Sequence, residues 1–202
     1  MSWTTDPAAT IPAEIEALIF DCDGTLVDTM PAHHRAWLAA LAPHGLTFST
    51  AQFHALAGMP TRAIVERLGR EQGVACDADR IAAQKDAAYL AAADHGGPIA
   101  VVVAIARRER GARKLAVASG NVTELVRATL RGAAIDDLFP VVVGADLVVH
   151  GKPAPDVFLE AAARIGAQPA RCAVYEDGEL GLQAARAAGM IAIDVRPWLH
   201  VP

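Results

Sequence analysis

The sequence predicts an α/β protein: a doubly wound, Rossmann-like parallel sheet with an α-helical cap inserted after its first strand. Three observations carry this. Short continuous apolar runs end abruptly in polar or glycine-containing turns, as buried parallel strands do. Helical periods fill the gaps between these runs from about residue 99 to 202, the rhythm of an open parallel sheet with helices on both faces. The stretch from Pro31 to about Pro98 breaks that rhythm, being strand-poor and rich in helix formers.

In chain order, residues 1–14 are polar and Pro-containing and are expected to form a flexible tail. Ala17-Leu18-Ile19-Phe20 is the first strand, stopped by Asp21-Cys22-Asp23-Gly24-Thr25. A helical insertion over 30–98 follows, with candidate helices near 31–42, 50–56, 61–71 and 78–93, placed as a cap over the sheet's carboxyl edge. The core therefore comprises 15–29 and 99–202. Lys114 to Ser119 is the next strand and leads to Gly120-Asn121, where Asn121-Val122-Thr123-Glu124 reads as a capping box opening a helix. Pro140 to Gly144 is a third run. Phe158, Ala161, Ala162 and Ile165 obey the i, i+3, i+4, i+7 rule, with Gly166 placed to end their helix. Cys172 to Tyr175 runs into Glu176-Asp177-Gly178. Leu182 and Ala185 mark another helix face closed by Gly189, and Ile191 to Val195 is the last strand.

Composition bounds the function. The chain has 202 residues, 53% of them hydrophobic, which supplies a core and excludes wholesale disorder. Against 23 Asp and Glu stand 18 Lys and Arg, a net charge of −5 with His neutral. That balance opposes nucleic acid or an anionic membrane surface as partner, but not a small anion held by a few local cations. The apolar runs are far shorter than the roughly 20 residues that span a bilayer. The first dozen residues have neither the basic nor the apolar region of a signal peptide, so a cytoplasmic protein is expected. Cys22, Cys76 and Cys172 form no CxxC or Cys/His cluster, and read as small hydrophobes in a reducing compartment.

Ligands of open parallel sheets bind outside the carboxyl ends of the strands, and four such ends carry polar groups. Strand alternation predicts that Asp21 and Asp23 face the same side, so that two carboxylates converge. Ser119-Gly120-Asn121 before a helix offers a hydroxyl and amides to an anion. Lys152, in Gly151-Lys152-Pro153-Ala154-Pro155-Asp156, is a cation fixed between Gly and Pro. Glu176 and Asp177 are either a helix N-terminal charge pair or part of an oxygen-only Mg²⁺ site. Each has a bland alternative when read singly: a turn, a cap, a solvated loop charge.

Together, DCDGTLVDT (21–29), VASGN (117–121), GKPAPDVFL (151–159) and YEDGELGLQAARAAGM (175–190) resemble the haloacid dehalogenase superfamily of phosphatases and phosphotransferases. The likeness leans to the branch that holds beta-phosphoglucomutase and small sugar phosphatases of the fructose-1-phosphatase type. Asp28-Thr29 followed by His33 and Ala36-Trp37, and the ending Asp194-Val195-Arg196, suit that branch. The resemblance implies Asp21 as nucleophile and Asp23 as general acid/base, which also separates the chain from the dehalogenases. It implies Ser119, Gly120, Asn121 and Lys152 around the phosphoryl group. Mg²⁺ would be held by Asp21, Asp177 and the carbonyl of Asp23, with Glu176 in support. Gly178 departs from the Ser or Ala common in relatives and is expected to loosen the turn that positions Asp177.

By the same resemblance the cap selects the substrate, with His33, Arg62 and Lys85 meeting a small phosphorylated sugar and Gly58 in a loop near it. His34 and His54 are expected at the surface or in packing, and Trp37 and Trp198 in packing. Gly96-Gly97-Pro98-Ile99 looks closer to the phosphatases than to the mutases. The expected activity is hydrolysis of a sugar phosphate by a monomer, or a dimer. A phosphosugar mutase and a non-catalytic sugar-phosphate sensor are the alternatives.

Overall fold

The structure is a computed structural model and describes residues 2–92 and 94–199; Met1, Ala93 and 200–202 lie outside it. Five parallel strands form one sheet: β1 (Ala17–Phe20), β2 (Lys114–Ala118), β3 (Val141–Val143), β4 (Cys172–Glu176) and β5 (Ile191–Asp194), in the order β3-β2-β1-β4-β5. The chain builds outward from β1 through β2 to β3, then returns to lay β4 on the other side of β1. The strand order thus reverses between β1 and β4, whose residues pair from Ala17↔Cys172 to Phe20↔Tyr175. A crevice opens at such a reversal.

Alternation along the strands splits the core in two. Leu18, Phe20, Leu115, Val117 and Tyr175 face α5 (Ala100–Glu109) and α6 (Thr123–Gly132), where Val102, Ile105, Val126 and Leu130 meet them. Ala17, Ile19, Ala116 and Val174 face α7 (Asp156–Arg164) and α8 (Glu179–Ala187) through Val157, Phe158, Ala161 and Ala185. Small residues on this second face let the helices lie close, and the fully buried Phe158 alone contributes roughly 1.5–3 kcal/mol. The short α9 (Arg196–Leu199) closes the chain with Trp198 packed against Tyr175.

Between β1 and α5 lie α1 (Met30–Leu41), α2 (Thr50–Ala55), α3 (Thr61–Gln72) and α4 (Ala78–Leu90). They enclose a separate apolar cluster including Trp37, Leu41, Phe48, Phe53, Val65, Leu68 and Ile81. The last of the expected helices, drawn to 93, stops at Leu90, and Ala93 itself is outside the described residues. Among the described residues no helix is long and apolar enough to cross a membrane.

Two expectations are corrected here. The N-terminal stretch is strapped to the core, because Trp3 and Ile11 supply buried anchors. Arg113 donates to the carbonyls of Ile11 (2.8 Å) and Ile15 (2.9 Å), and Arg108 to that of Pro7 (3.1 Å). The capping box before α6 does not form. Asn121 turns its amide elsewhere, and Asp146 caps the helix by accepting from the Thr123 N–H at 2.6 Å.

The Gly96-Gly97 motif has a structural use. The chain enters the helical insertion at 27–29 and leaves it at 96–98, and the two passes are tied where the Asp28 N–H donates to the Gly97 carbonyl at 2.9 Å. Gly96 has φ +102°, and a Cβ there would sit 1.9 Å from the Asp28 carbonyl oxygen. Gly96→Ala is therefore expected to cost about 2–3 kcal/mol, read as a lower urea midpoint at unchanged slope.

Candidate active site

Asp21 continues the ladder of β1, its N–H donating to the Tyr175 carbonyl at 3.0 Å. The chain then turns, with the N–H groups of Leu26 and Val27 both on the Cys22 carbonyl at 3.0 Å. Gly24 takes φ +88°, and a Cβ on it would meet Asp177 Oδ2 at 2.4 Å. Asp23 thus reaches the site from a turn, and strand alternation, which predicted the convergence, is not its cause because β1 ends at Phe20. Both carboxylates line one cavity between the sheet and the insertion, but they keep different company.

Asp21 Oδ1 accepts from Lys152 Nζ at 2.7 Å, and the same ammonium donates to Glu176 Oε1 at 2.7 Å. The Lys152 side chain is fully buried and its Nζ lies 4.9 Å from the centre of the Phe158 ring. The other Glu176 oxygen accepts from the Gly178 N–H at 2.7 Å. Gly178 itself has φ −94° and ψ 137°, open to any residue, and a Cβ would stand 3.4 Å from the nearest atom. The Gly178 N–H bond to Glu176 spans the turn that carries Asp177. Gly181 is the constrained glycine: a Cβ there would fall 1.7 Å from Glu176 Oε1. Asp177 Oδ1 accepts from the Thr25 hydroxyl at 2.7 Å.

Asp23 is encircled by donors. Oδ1 faces the Thr29 hydroxyl (2.8 Å) and His33 Nε2 (2.9 Å), while Oδ2 faces the Asn121 amide (2.8 Å) and Ser119 Oγ (3.3 Å). Ser119, buried at the end of β2, also accepts from the Asn121 N–H at 3.1 Å. A Cβ on Gly120 would lie 2.3 Å from the Gly58 carbonyl, and one on Gly151 would lie 2.3 Å from Pro60. The loop between α2 and α3 is therefore seated directly on the sheet's carboxyl edge.

From the insertion, His33 and Lys85 reach the cavity, and Arg62 does not. Lys85 Nζ is buried, 3.3 Å from Asp86 Oδ1, 3.4 Å from Asn121 Oδ1 and 5.7 Å from the centre of the Trp37 ring. Arg62 lies on the solvent side of α3, paired with Glu66 (3.0 Å) and Asp79 (3.1 Å), because its i+4 acid draws it along the helix surface. His34 leans on Phe53 and His54 is exposed, as expected. Cys22 and Cys172 are buried and Cys76 is half-buried, all three free. The sequence reading assigns no site role to Thr25, Thr29 or Gly181. All three stand inside the quoted motifs, and the regular spacing of Gly178 and Gly181 was the available signal.

The electrostatics divide the site. Burial and the neighbouring Glu176 carboxylate push Asp21 well up, against the pull of Lys152. Burial and Glu176 likewise raise Asp177 to about 7, in spite of the Thr25 bond and Lys152. Burial works against the charge of Lys152, but Asp21 and Glu176 outweigh it and hold the ammonium above its ordinary range. Burial also opposes the Asp23 carboxylate, yet the His33 charge and the bonds from His33, Thr29 and Asn121 hold it below the usual range. Burial and repulsion from Lys85 lower His33. Burial lowers Lys85, with Asp86 and Asp23 offsetting part of it. Carboxylate oxygens of Asp21, Glu176 and Asp177 lie within 4.8 Å of one another. An all-oxygen, under-neutralised cluster of this kind fits a hard divalent cation.

The profile of the haloacid dehalogenase-like hydrolases matches residues 15–189. Fructose-1-phosphate phosphatase YqaB of Escherichia coli is 40% identical over 180 residues, covering 89% of this chain and 95% of that protein. Beta-phosphoglucomutase of Bacillus subtilis is 31% identical over 192 residues, 90% of this chain and 83% of its own. Among solved structures, CbbY from Rhodobacter sphaeroides in complex with xylulose-(1,5)bisphosphate superposes with a TM-score of 0.79 at 26% identity, covering 88% of this chain and 84% of that one.

Proposed function

The chain belongs to the haloacid dehalogenase-like hydrolases and is a phosphoric monoester hydrolase, and from that premise we propose that it hydrolyses a small sugar monophosphate through an aspartyl-phosphate on Asp21. The observation that carries this is the pairing of two differently held carboxylates in one cavity, Asp21 on Lys152 at 2.7 Å and Asp23 within a ring of four donors. A carboxylate meets a phosphate dianion against charge repulsion, and Lys152 lessens it at the attacking group. Mg²⁺, held by Asp21, Asp177 and the Asp23 carbonyl with Glu176 in support, would neutralise further charge on the transferring group.

An oxygen of Asp21 forms the new bond to phosphorus as the bond to the sugar oxygen breaks, and Asp23 gives that oxygen a proton. Asp23 then takes a proton from the water that attacks the aspartyl-phosphate, freeing inorganic phosphate and restoring Asp21. Four donors keep Asp23 ionised in the resting protein, and an approaching dianion favours its protonated form. Ser119 and the Gly120 N–H would meet the phosphoryl oxygens, with Asn121 bracing Ser119 through its N–H at 3.1 Å, and the seated loop at Gly58 would keep bulk water out.

Hydrolysis of a monophosphate is favoured over the mutase by what the insertion offers the far end of the substrate. A mutase must accommodate two phosphates across its cycle. Here the wall is largely apolar, with Met30, Trp37, Phe53, Leu56, Met59 and Ile64 beside the neutral hydroxyl of Thr61. Besides His33, held by Asp23, the cation it presents among the described residues is Lys85, already set against Asp86 and Asn121. A panel of phosphate monoesters, scored by released phosphate with and without Mg²⁺, tests the reading. Release from sugar monophosphates with Mg²⁺ supports it; silence toward the whole panel favours the sensor.

The metal assignment has a pH signature. An Asp177 raised from 3.8 to about 7 makes the metal-free fold bind more protons than the unfolded chain across that window, so stability falls as pH rises through it. A cation that takes the ionised carboxylates reverses the trend. The rise in melting temperature on adding Mg²⁺ is expected to be small near pH 5.5 and several-fold larger near pH 8. Equal rises at both would contradict the assignment.

A further inference from the structure

Resting on the reading of Asp23 as general acid/base, we propose that Tyr89 is a positioning residue for it: the Tyr89 ring fixes the plane of the His33 imidazole, which in turn aims the Asp23 carboxyl group at the leaving oxygen. His33 is buried and is fixed by a hydrogen bond at one ring atom, Nε2, which donates to Asp23 Oδ1 at 2.9 Å. Its Nδ1 is buried with no hydrogen-bond partner among the described residues. A ring held at one atom is free to pivot about that atom, and a second constraint has to come from packing.

Tyr89 supplies it. Its ring lies parallel to the imidazole, 6° between planes and 4.0 Å between centres. The other face of Tyr89 is covered by His95 at 4.5 Å and 18°. His95 is anchored in turn by Nε2, 2.7 Å from the Tyr89 carbonyl. The Tyr89 hydroxyl is 2.8 Å from the Thr129 hydroxyl on α6. The side chain is fully buried, so the three-ring stack has no slack. It crosses from α4 of the insertion to α6 of the sheet's flank, so the plane of His33 depends on the insertion being seated.

The test exploits leaving groups. A sugar alkoxide needs a proton as it departs, whereas p-nitrophenolate does not, so misaiming Asp23 harms the first transfer and spares the second. In the Mg²⁺-loaded protein, Tyr89→Leu is expected to lower kcat on a sugar monophosphate about 100-fold, with KM changed less than about threefold. The pre-steady-state burst of p-nitrophenol from p-nitrophenyl phosphate should change less than about threefold. Tyr89→Phe, which keeps the ring, should restore sugar-phosphate turnover to within a few-fold of the parent.

Equal losses on both substrates, no loss on either, or a Phe variant as defective as Leu would overturn the proposal. Should Tyr89→Leu not fold, the imidazole ring protons of His33 in the parent decide: stacking requires them to be shifted upfield, and unshifted resonances overturn the proposal. Absence of turnover on both substrates in the parent itself would be a failure of the hydrolase reading, distinguishable from these.

Discussion

Asp21→Asn is expected to reduce phosphate release by a factor on the order of 10⁴ or more, while the metal-free protein stays as stable as the parent or becomes more so. The loss follows because an amide cannot form the aspartyl-phosphate. The stability follows from the charge inventory. Asp21 is buried and its ionisation is opposed by burial, Glu176, Asp177 and Asp23 together. The amide oxygen still accepts from Lys152, and Lys152 keeps its second partner, Glu176, at 2.7 Å. The variant therefore removes repulsion and retains the hydrogen bond, as expected where a site is held under strain for function. Phosphate release and a metal-free thermal melt check both halves. Retained turnover, or a clear fall in melting temperature, would contradict the account.

Lys152→Met should be damaging in both respects. With the ammonium gone, Asp21 and Glu176 are left buried side by side without the cation that joins them. Breaking a buried ion pair on one side costs about 3–5 kcal/mol. Removing a charge-stabilising donor costs roughly 10²–10³ in turnover. The stability loss has a direction in pH. Protonation of Asp21, which burial and the Glu176 charge already favour, relieves it, so urea unfolding should show a large deficit near pH 8 and a smaller one near pH 5. A deficit independent of pH would mean that packing on Phe158, and not charge, is what Lys152 provides.

How far the sequence could be read divides along the range of the interactions. The strands at Ala17–Phe20, Lys114–Ala118 and Cys172–Glu176 are local apolar runs with abrupt ends, and they were legible as such. The same holds for the α7 stripe of Phe158, Ala161 and Ala162. What was missed depends on contacts that no local pattern encodes. Thr25 meets Asp177 across 152 positions, and Asn121 is drawn away from its helix by Asp23 across 98. Arg62 sits in a sequence slot compatible with the cavity, but a residue's helical face is decided by α3's own orientation and by Glu66. The N-terminal stretch is polar in composition, yet two buried side chains, Trp3 and Ile11, suffice to anchor it. Asp21, Asp23, Ser119, Lys152, Glu176 and Asp177 were all named from their motifs because each stands at a strand end or in the loop facing one. A parallel sheet gathers such ends at one edge.

The most direct test of the central claim compares two outcomes for the same phosphoryl group. The Mg²⁺-loaded protein is given fructose 1-phosphate, and separately beta-glucose 1-phosphate with glucose 1,6-bisphosphate. Released phosphate and isomerised sugar are both followed, with Asp21→Asn as the blank. The account predicts phosphate release from fructose 1-phosphate that exceeds any isomerisation and vanishes in the blank. Isomerisation much faster than phosphate release, or release that persists without Asp21, would contradict it.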